Sequence, residues 1–258
     1  LLKINQVTKV FNRGTPNQRV ALDEIDLDLV DGDFCVVIGT NGAGKSSVLN
    51  AIAGKFAVDS GAIRINDIDV SGMEVHQRAQ WISRVFQDPM VGTAPTMTVA
   101  ENMLLAELRG TKHSLRMSLN SVRIKRYCDR LARIGLGLEE RLNVKVGMLS
   151  GGQRQALSLL MAVMQKPDLL LLDEHTAALD PRTASLVMDA TVSAVEEQNL
   201  TTLMVTHNMQ HAVDFGNRIA MLDSGKVRME IAGREKESVT VDDLITRFHI
   251  TDDALLLG

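Results

Sequence analysis

Gly39-Thr40-Asn41-Gly42-Ala43-Gly44-Lys45-Ser46 is the stretch that decides the fold. It fits the pattern G-x-x-x-x-G-K-[ST]. Residues 34–38 before it are wholly apolar, which predicts a short strand buried on both faces. Residues 44–54 after it have the spacing of a helix. Glycines between such a strand and helix let backbone N–H groups converge on a phosphate with no Cβ atoms in the way. The helix N-terminus adds its partial positive charge. In this pattern Lys45 reaches the β- and γ-phosphates of a nucleotide, and the Ser46 hydroxyl ligates Mg²⁺. The candidate nucleotide contacts are Gly39, Asn41, Gly42, Ala43, Gly44, Lys45, Ser46 and Ser47.

The neighbouring segments extend the same architecture. Ile4, Val7 and Val10 are separated by polar residues, and Ile25-Asp26-Leu27-Asp28-Leu29 alternates with period two, so both stretches read as strands. Between them, 12–18 is rich in Gly, Pro and Asn and predicts a turn. Residues 61–66 and 81–86 read as further strands. From 97 to 166 helical spacing takes over, as in Val99, Met103, Leu104 and Leu108. After this mostly helical insert, 169–172 is a buried strand, Pro181 opens a helix, and 202–205 is another strand. A terminal hairpin is expected from 218–222 and 227–231 around Asp223-Ser224-Gly225-Lys226. Strands alternating with helices imply an α/β fold with a mostly parallel sheet.

Two more motifs carry chemistry. Leu169-Leu170-Leu171-Leu172-Asp173-Glu174 is an apolar strand ending in two carboxylates, which places them at the carboxyl edge of the sheet, where α/β proteins bind ligands. Asp173 there would hold Mg²⁺ directly or through its water, and Glu174 would polarise an attacking water as general base. Leu149-Ser150-Gly151-Gly152-Gln153 is a capping box, Ser150 with Gln153, that opens an amphipathic helix. Such a capped, glycine-bearing N-terminus is also a second phosphate-binding surface.

The chain has 258 residues, 28 Lys+Arg against 32 Asp+Glu, and a net charge of −4. With 45% hydrophobic and 23% charged residues it has ordinary globular composition, which excludes a disordered chain, a collagen and a strongly basic nucleic-acid arm. Cys35 and Cys128 stand in unrelated contexts and form no metal-ligand pair. No apolar run approaches the roughly 20 residues needed to cross a bilayer, so a membrane would be met only through a partner.

With phosphate loop, Leu-Ser-Gly-Gly-Gln run and acidic strand in this order, the chain resembles the ATP-binding subunit of an ATP-binding-cassette (ABC) transporter. The resemblance covers nearly the whole chain. It implies a single domain spanning 1–258, with a P-loop NTPase core, an N-terminal antiparallel β subdomain and a helical subdomain inserted at about 88–166. It assigns Gln87, in Phe86-Gln87-Asp88-Pro89, to Mg²⁺ sensing and to contact with a membrane partner. It assigns Asp180 to a loop crossing a dimer interface, His207 to the γ-phosphate, and Phe11 to stacking on adenine. Ser150, Gly151, Gly152 and Gln153 would contact ATP bound by the opposite subunit, so that a homodimer sandwiches two nucleotides. Lys45, Gln87, Glu174 and His207 would then be catalytic, with Mg²⁺ held by Ser46, Gln87 and Asp173. The implied partners are integral-membrane permease subunits and an extracytoplasmic solute-binding protein, with no nucleic acid. The implied place is the cytoplasmic face of the cell membrane.

Separate ATPase subunits are commoner in prokaryotic importers of this family. The run 174–181, with Thr206-His207-Asn208-Met209, is similar to importer ATPases whose permeases resemble those for branched-chain amino acids or ribose, so an amino-acid-like cargo is expected. The alternatives are an exporter subunit, or a soluble ABC ATPase acting on ribosomes or DNA. One cassette and no sustained heptads count against the latter. Where the family usually has Pro-Thr-Ser after the glutamate, this chain has His175-Thr176-Ala177. His175 is expected to be a solvated or hydrogen-bonded structural residue. Finally, 109–133 holds eight bases (Arg109, Lys112, Arg116, Arg123, Lys125, Arg126, Arg130 and Arg133) and one acid, Asp129. It reads either as a solvated helix face or as a surface near a permease and the anionic leaflet.

Overall fold

The computed structural model describes residues 1–110 and 119–247. They form two compact units. One is Leu1–Trp81 with the described residues from Thr201 on; the other is Ile82–Leu200. The second unit takes in the flanking strands and a further helix as well as 88–166.

In the first unit, β1 (Leu2–Phe11) pairs antiparallel with β2 (Arg19–Leu29). The period-two alternation does what it predicts: Ile25, Leu27 and Leu29 are buried while Asp26 and Asp28 are exposed. β3 (Phe34–Gly39) is buried at 34–38, as expected for a strand covered on both faces. Burial pushes the Cys35 thiol on it well above its usual pKa, which makes it an inert core group. The helix expected at 44–54 is α1 (Lys45–Ala53). Then come β4 (Ser60–Ile65), β5 (Ile68–Asp69) and the short α2 (Val75–Arg78). The antiparallel sheet has the order β2-β1-β4-β5.

The second unit opens with β6 (Ile82–Val85), followed by α3 (Val99–Leu108), α4 (Ser121–Ala132), α5 (Gly151–Val163), β7 (Leu169–Asp173) and α6 (Pro181–Gln198). β6 and β7 pair in parallel, Ile82 opposite Leu169 through Val85 opposite Leu172. Tyr127, Leu131 and Ile134 share one buried face with Val99, Met103, Leu138 and Leu157. The basic run is not a bare charged face. Glu107 on α3 accepts from Arg123 Nε at 3.3 Å, Arg126 Nη2 at 2.6 Å and the Tyr127 hydroxyl. Arg133 pairs with Glu197 at 3.7 Å. Arg123 is mostly covered by this pairing, whereas Arg126 stays exposed beside the same acid, which lies outside 109–133. Lys112 and Arg116 lie outside the described residues.

The chain returns to the first unit with β8 (Thr201–Val205), α7 (Met209–Asp214), the hairpin β9 (Arg218–Asp223) and β10 (Lys226–Ala232), and α8 (Arg234–Ser238). β3 lies between β8 and β9, parallel to both.

Arg78 closes the carboxyl end of α1 from within the core. It is 1% exposed. Nη1 donates to Ala51 O at 2.7 Å and Ile52 O at 2.8 Å, Nε to Met73 O at 3.0 Å, and Nη2 to Ser71 O at 3.1 Å. Burial holds its pKa below the usual arginine value. The exposed ends of peptide dipoles at the helix C-terminus oppose that cost. Replacing Arg78 by Met removes four hydrogen bonds, with Ala51 O keeping the one from Gly54 N. We predict a loss of roughly 2–4 kcal/mol in denaturant unfolding. Arg78→Lys should recover only part of it, since an ammonium lacks the planar fork. An unchanged midpoint for Arg78→Met would contradict this role.

Candidate active site

The phosphate loop in the first unit runs from the end of β3 into α1. Gly44 adopts φ +107°, and a Cβ there would stand 2.7 Å from Ala21 O, so only glycine fits. The turn delivers the first residues of α1, whose N–H groups point away from the helix body, as an anion site requires. Lys45 is 6% exposed, and its Nζ donates to Gly39 O at 2.7 Å and Thr40 O at 3.1 Å. The ammonium is thus held over the loop's own carbonyls. Ser46 is exposed, at the second position of α1.

Further side chains of this unit come from β1, β2 and the segment after β8. Arg19 Nη2 donates to Gly42 O at 2.9 Å and is the cross-strand partner of Phe11. Nothing in the sequence pattern singled it out, because the contact joins positions 23 residues apart. The half-buried Phe11 ring meets Phe56 edge to face at 5.2 Å. Lys9 Nζ lies 5.6 Å and 5.5 Å from the two ring centroids. His207 is exposed just beyond β8. Since β8 runs parallel to β3, it leaves from the same sheet edge as the loop.

In the second unit, parallel pairing brings the carboxyl ends of β6 and β7 side by side. Gln87 lies two residues past β6, on a chain fixed by Gln155 Nε2 donating to Phe86 O at 3.1 Å. Asp173 ends β7. Its Oδ2 accepts from Arg84 Nη2 at 2.5 Å, an ion pair across 89 positions of sequence. Glu174 adopts φ +43°, an uncommon backbone for a residue with a side chain. Ala177 N closes the turn onto Glu174 O at 3.0 Å.

His175 anchors this turn. It is 3% exposed, with Nε2 at 3.1 Å from Thr191 Oγ1. That hydroxyl already donates to Val187 O at 2.7 Å, so Nε2 carries a proton and donates to Thr191. Of the two structural readings, the hydrogen-bonded one holds and the solvated one does not. The histidine supplies by a buried bond the fixity that a proline would supply covalently.

Ser150 and Asp180 both cap helices. Ser150 Oγ accepts from Gln153 N at 3.2 Å, and Gln153 Oε1 accepts from Ser150 N at 3.2 Å. The cap uses the serine's acceptor and leaves its O–H to donate to an anion. Gln153 Nε2 is taken by Leu136 O at 3.0 Å. Asp180 Oδ1 accepts from Thr183 N at 3.1 Å, and hydrogen bonds from Thr183 hold its pKa below the usual carboxylate value. A Cβ at Gly152 would stand 2.0 Å from Thr183 Cγ2. The N-termini of α5 and α6 therefore meet at Gly152 and Thr183, next to Ser150, Gly151 and Asp180.

Among the described residues, no cluster of three His, Cys, Asp or Glu side chains could hold a metal ion. The Ser46 hydroxyl and the Asp173 carboxylate are hard oxygen donors. They fit Mg²⁺, which keeps waters and binds mainly through phosphates rather than an all-protein cage.

Removing the His175 anchor should be measurable. His175→Ala removes the bond between the turn and Thr191, which keeps its bond to Val187 O, and opens space in the core. The expected cost is about 1–3 kcal/mol in unfolding free energy. An unchanged unfolding midpoint would mean that the turn is held elsewhere.

The comparisons with known proteins agree with this geometry. The ABC transporter family model matches residues 22–177. The tyrosine transport ATP-binding protein of Clostridioides difficile is 42% identical over 252 residues, covering 96% of this chain and 98% of that protein. The phosphonates import ATP-binding protein of Lactococcus lactis subsp. lactis is 30% identical over 253 residues, covering 95% and 98%. Among solved structures, a dimeric post-hydrolysis state of an ATP-binding cassette bound to ADP and phosphate superposes with a TM-score of 0.78 at 30% identity, covering 90% of this chain and 98% of that one. The chain belongs to the ABC transporter family and is the ATP-hydrolysing cassette of a transporter.

Proposed function

We propose that this cassette hydrolyses Mg²⁺–ATP within a homodimer and so drives an integral-membrane permease importing an amino-acid-like solute, with an aromatic amino acid the leading cargo. The observation that carries the cargo is the 42% identity, nearly end to end, to a tyrosine transport ATP-binding protein. Import, rather than export, is supported by the phosphonates import relative. Among the described residues no helix is long and apolar enough to cross a membrane. The cassette would dock at the cytoplasmic face of the membrane, and an extracytoplasmic solute-binding protein would deliver the cargo.

The chemistry follows from the side chains. Lys45 exchanges the carbonyls of Gly39 and Thr40 for the β- and γ-phosphate oxygens. Gly39, Asn41, Gly42, Ala43, Gly44, Ser46 and Ser47 line the loop that carries the phosphates, and Phe11 stacks on adenine. Ser46, Gln87 and Asp173 would hold Mg²⁺ or its waters, and the ion would neutralise phosphate charge. Glu174 accepts the proton of the attacking water, giving ADP and phosphate. His207 and Gln87 complete the contacts to the γ-phosphate. Ser150, Gly151, Gly152, Gln153 and Asp180 act on the ATP of the opposite subunit, where the uncommitted Ser150 O–H donates to the γ-phosphate.

Glu174→Gln keeps the shape and removes the charge. Turnover should fall by about 10²–10⁴-fold, the usual contribution of a general base, while ATP binding persists. Near-normal turnover would remove Glu174 from this role. Sharing of sites has its own test. Lys45→Ala chains mixed with Ser150→Arg chains should regain hydrolysis, because every heterodimer holds one intact site and one doubly damaged site. A chain carrying both changes should have none. Full activity in a proven monomer would refute the sandwich. For the cargo, the cassette with its co-purified permease and solute-binding protein in liposomes should take up tyrosine only with ATP; uptake indifferent to aromatic amino acids would overturn that assignment.

A further inference from the structure

Asp173 is not a lone acid at the end of its strand. Arg84 and Asp173 face one another across β6 and β7, where Arg84 is opposite Leu171, two residues before Asp173 and on the same face. Nη2 lies 2.5 Å from Oδ2, with the two side chains 11% and 14% exposed. The guanidinium also sits over the Phe86 ring, Cζ 4.8 Å from its centroid. Ring and carboxylate together fix where the cation stands. Two consequences follow for the carboxylate. Its rotamer is set, with Oδ2 committed and Oδ1 left for another ligand. Its charge is also shared with a permanent cation.

We propose that Arg84 is a positioning residue for Asp173 that competes with Mg²⁺ for its negative charge. This rests on the proposed role of Asp173 at the metal. Arg84 aims Oδ1 while keeping the intrinsic metal affinity of the site low. A guanidinium and a divalent cation on one carboxylate repel each other, and a partly exposed pair is screened only in part. Metal would then be held firmly only when nucleotide phosphates add their charge. The arrangement favours release of the metal with the products.

Two substitutions separate the aim from the charge. Arg84→Gln keeps a donor and removes the charge; Arg84→Lys keeps the charge and removes the fork. The readout is Mn²⁺ affinity for the purified chain by electron paramagnetic resonance, with a fluorescent non-hydrolysable ATP analogue present. Affinity of the analogue without metal should match wild type in both variants, which also reports an intact fold. Arg84→Gln should bind Mn²⁺ about three- to tenfold more tightly, the scale of one like charge on a half-screened carboxylate. Arg84→Lys should keep wild-type Mn²⁺ affinity while kcat falls with KM unchanged. Equal or weaker Mn²⁺ binding in Arg84→Gln overturns the competition. Asp173→Ala is the control on the underlying reading. If it leaves Mn²⁺ binding intact, Asp173 is not at the metal; if it weakens binding while Arg84→Gln has no effect, only the Arg84 proposal fails.

Discussion

The α1 helix is held at both ends, and the proposed phosphate site depends on it. Its amino end opens onto the loop that Gly44 turns with a left-handed backbone. Its carboxyl end is closed by a guanidinium buried among four carbonyls. The two ends are electrically complementary. Negative partial charge at the carboxyl end stabilises Arg78, and positive partial charge at the amino end suits a phosphate. Arg78 also ties α1 to Ser71 and Met73, so the helix cannot slide along its axis without breaking those bonds. Displacements of about 1 Å at a reacting group can cost on the order of a hundredfold in rate. A clamp far from the loop therefore bears on chemistry at it.

The second unit fixes its candidate residues by a different device. Ser150 and Asp180 are helix caps, so the hydrogen bonds that end α5 and α6 also hold those side chains in place. Glu174 sits in an uncommon backbone region, and such a residue persists only where its surroundings over-determine it. Here those surroundings are the β7 strand before it, the Ala177 turn after it, and His175 bonded to α6 through Thr191. Asp173 is aimed by Arg84. Each candidate group is thus positioned by a contact that is structural in its own right.

What could be read from the sequence was local. Period-two alternation located β2, the glycine pattern located the loop and the start of α1, and Ser150 with Gln153 announced the cap of α5. The Asp180-Pro181 pair opened α6 where expected. The contacts that could not be read join distant positions and have no signature. Arg78 to Ala51 spans 27 residues and Arg84 to Asp173 spans 89. An arginine on a short helix or a strand looks like a solvated charge until its partner carbonyls or acid are seen. The basic run shows the same limit in reverse. Counting charges inside 109–133 left out Glu107, two residues before its start, which binds two of the arginines. His175 was ambiguous for the same reason, because Thr191 lies a full strand-to-helix connection away.

Phosphate binding by the loop that closes onto α1, with Lys45 needed for cleavage, has a simple readout: release of inorganic phosphate from Mg²⁺–ATP by the purified chain, followed beside Lys45→Ala at the same protein concentration. Wild-type protein should release phosphate continuously, and Lys45→Ala should be slower by about tenfold or more at saturating ATP. Equal release by the two proteins would rule out this role for Lys45.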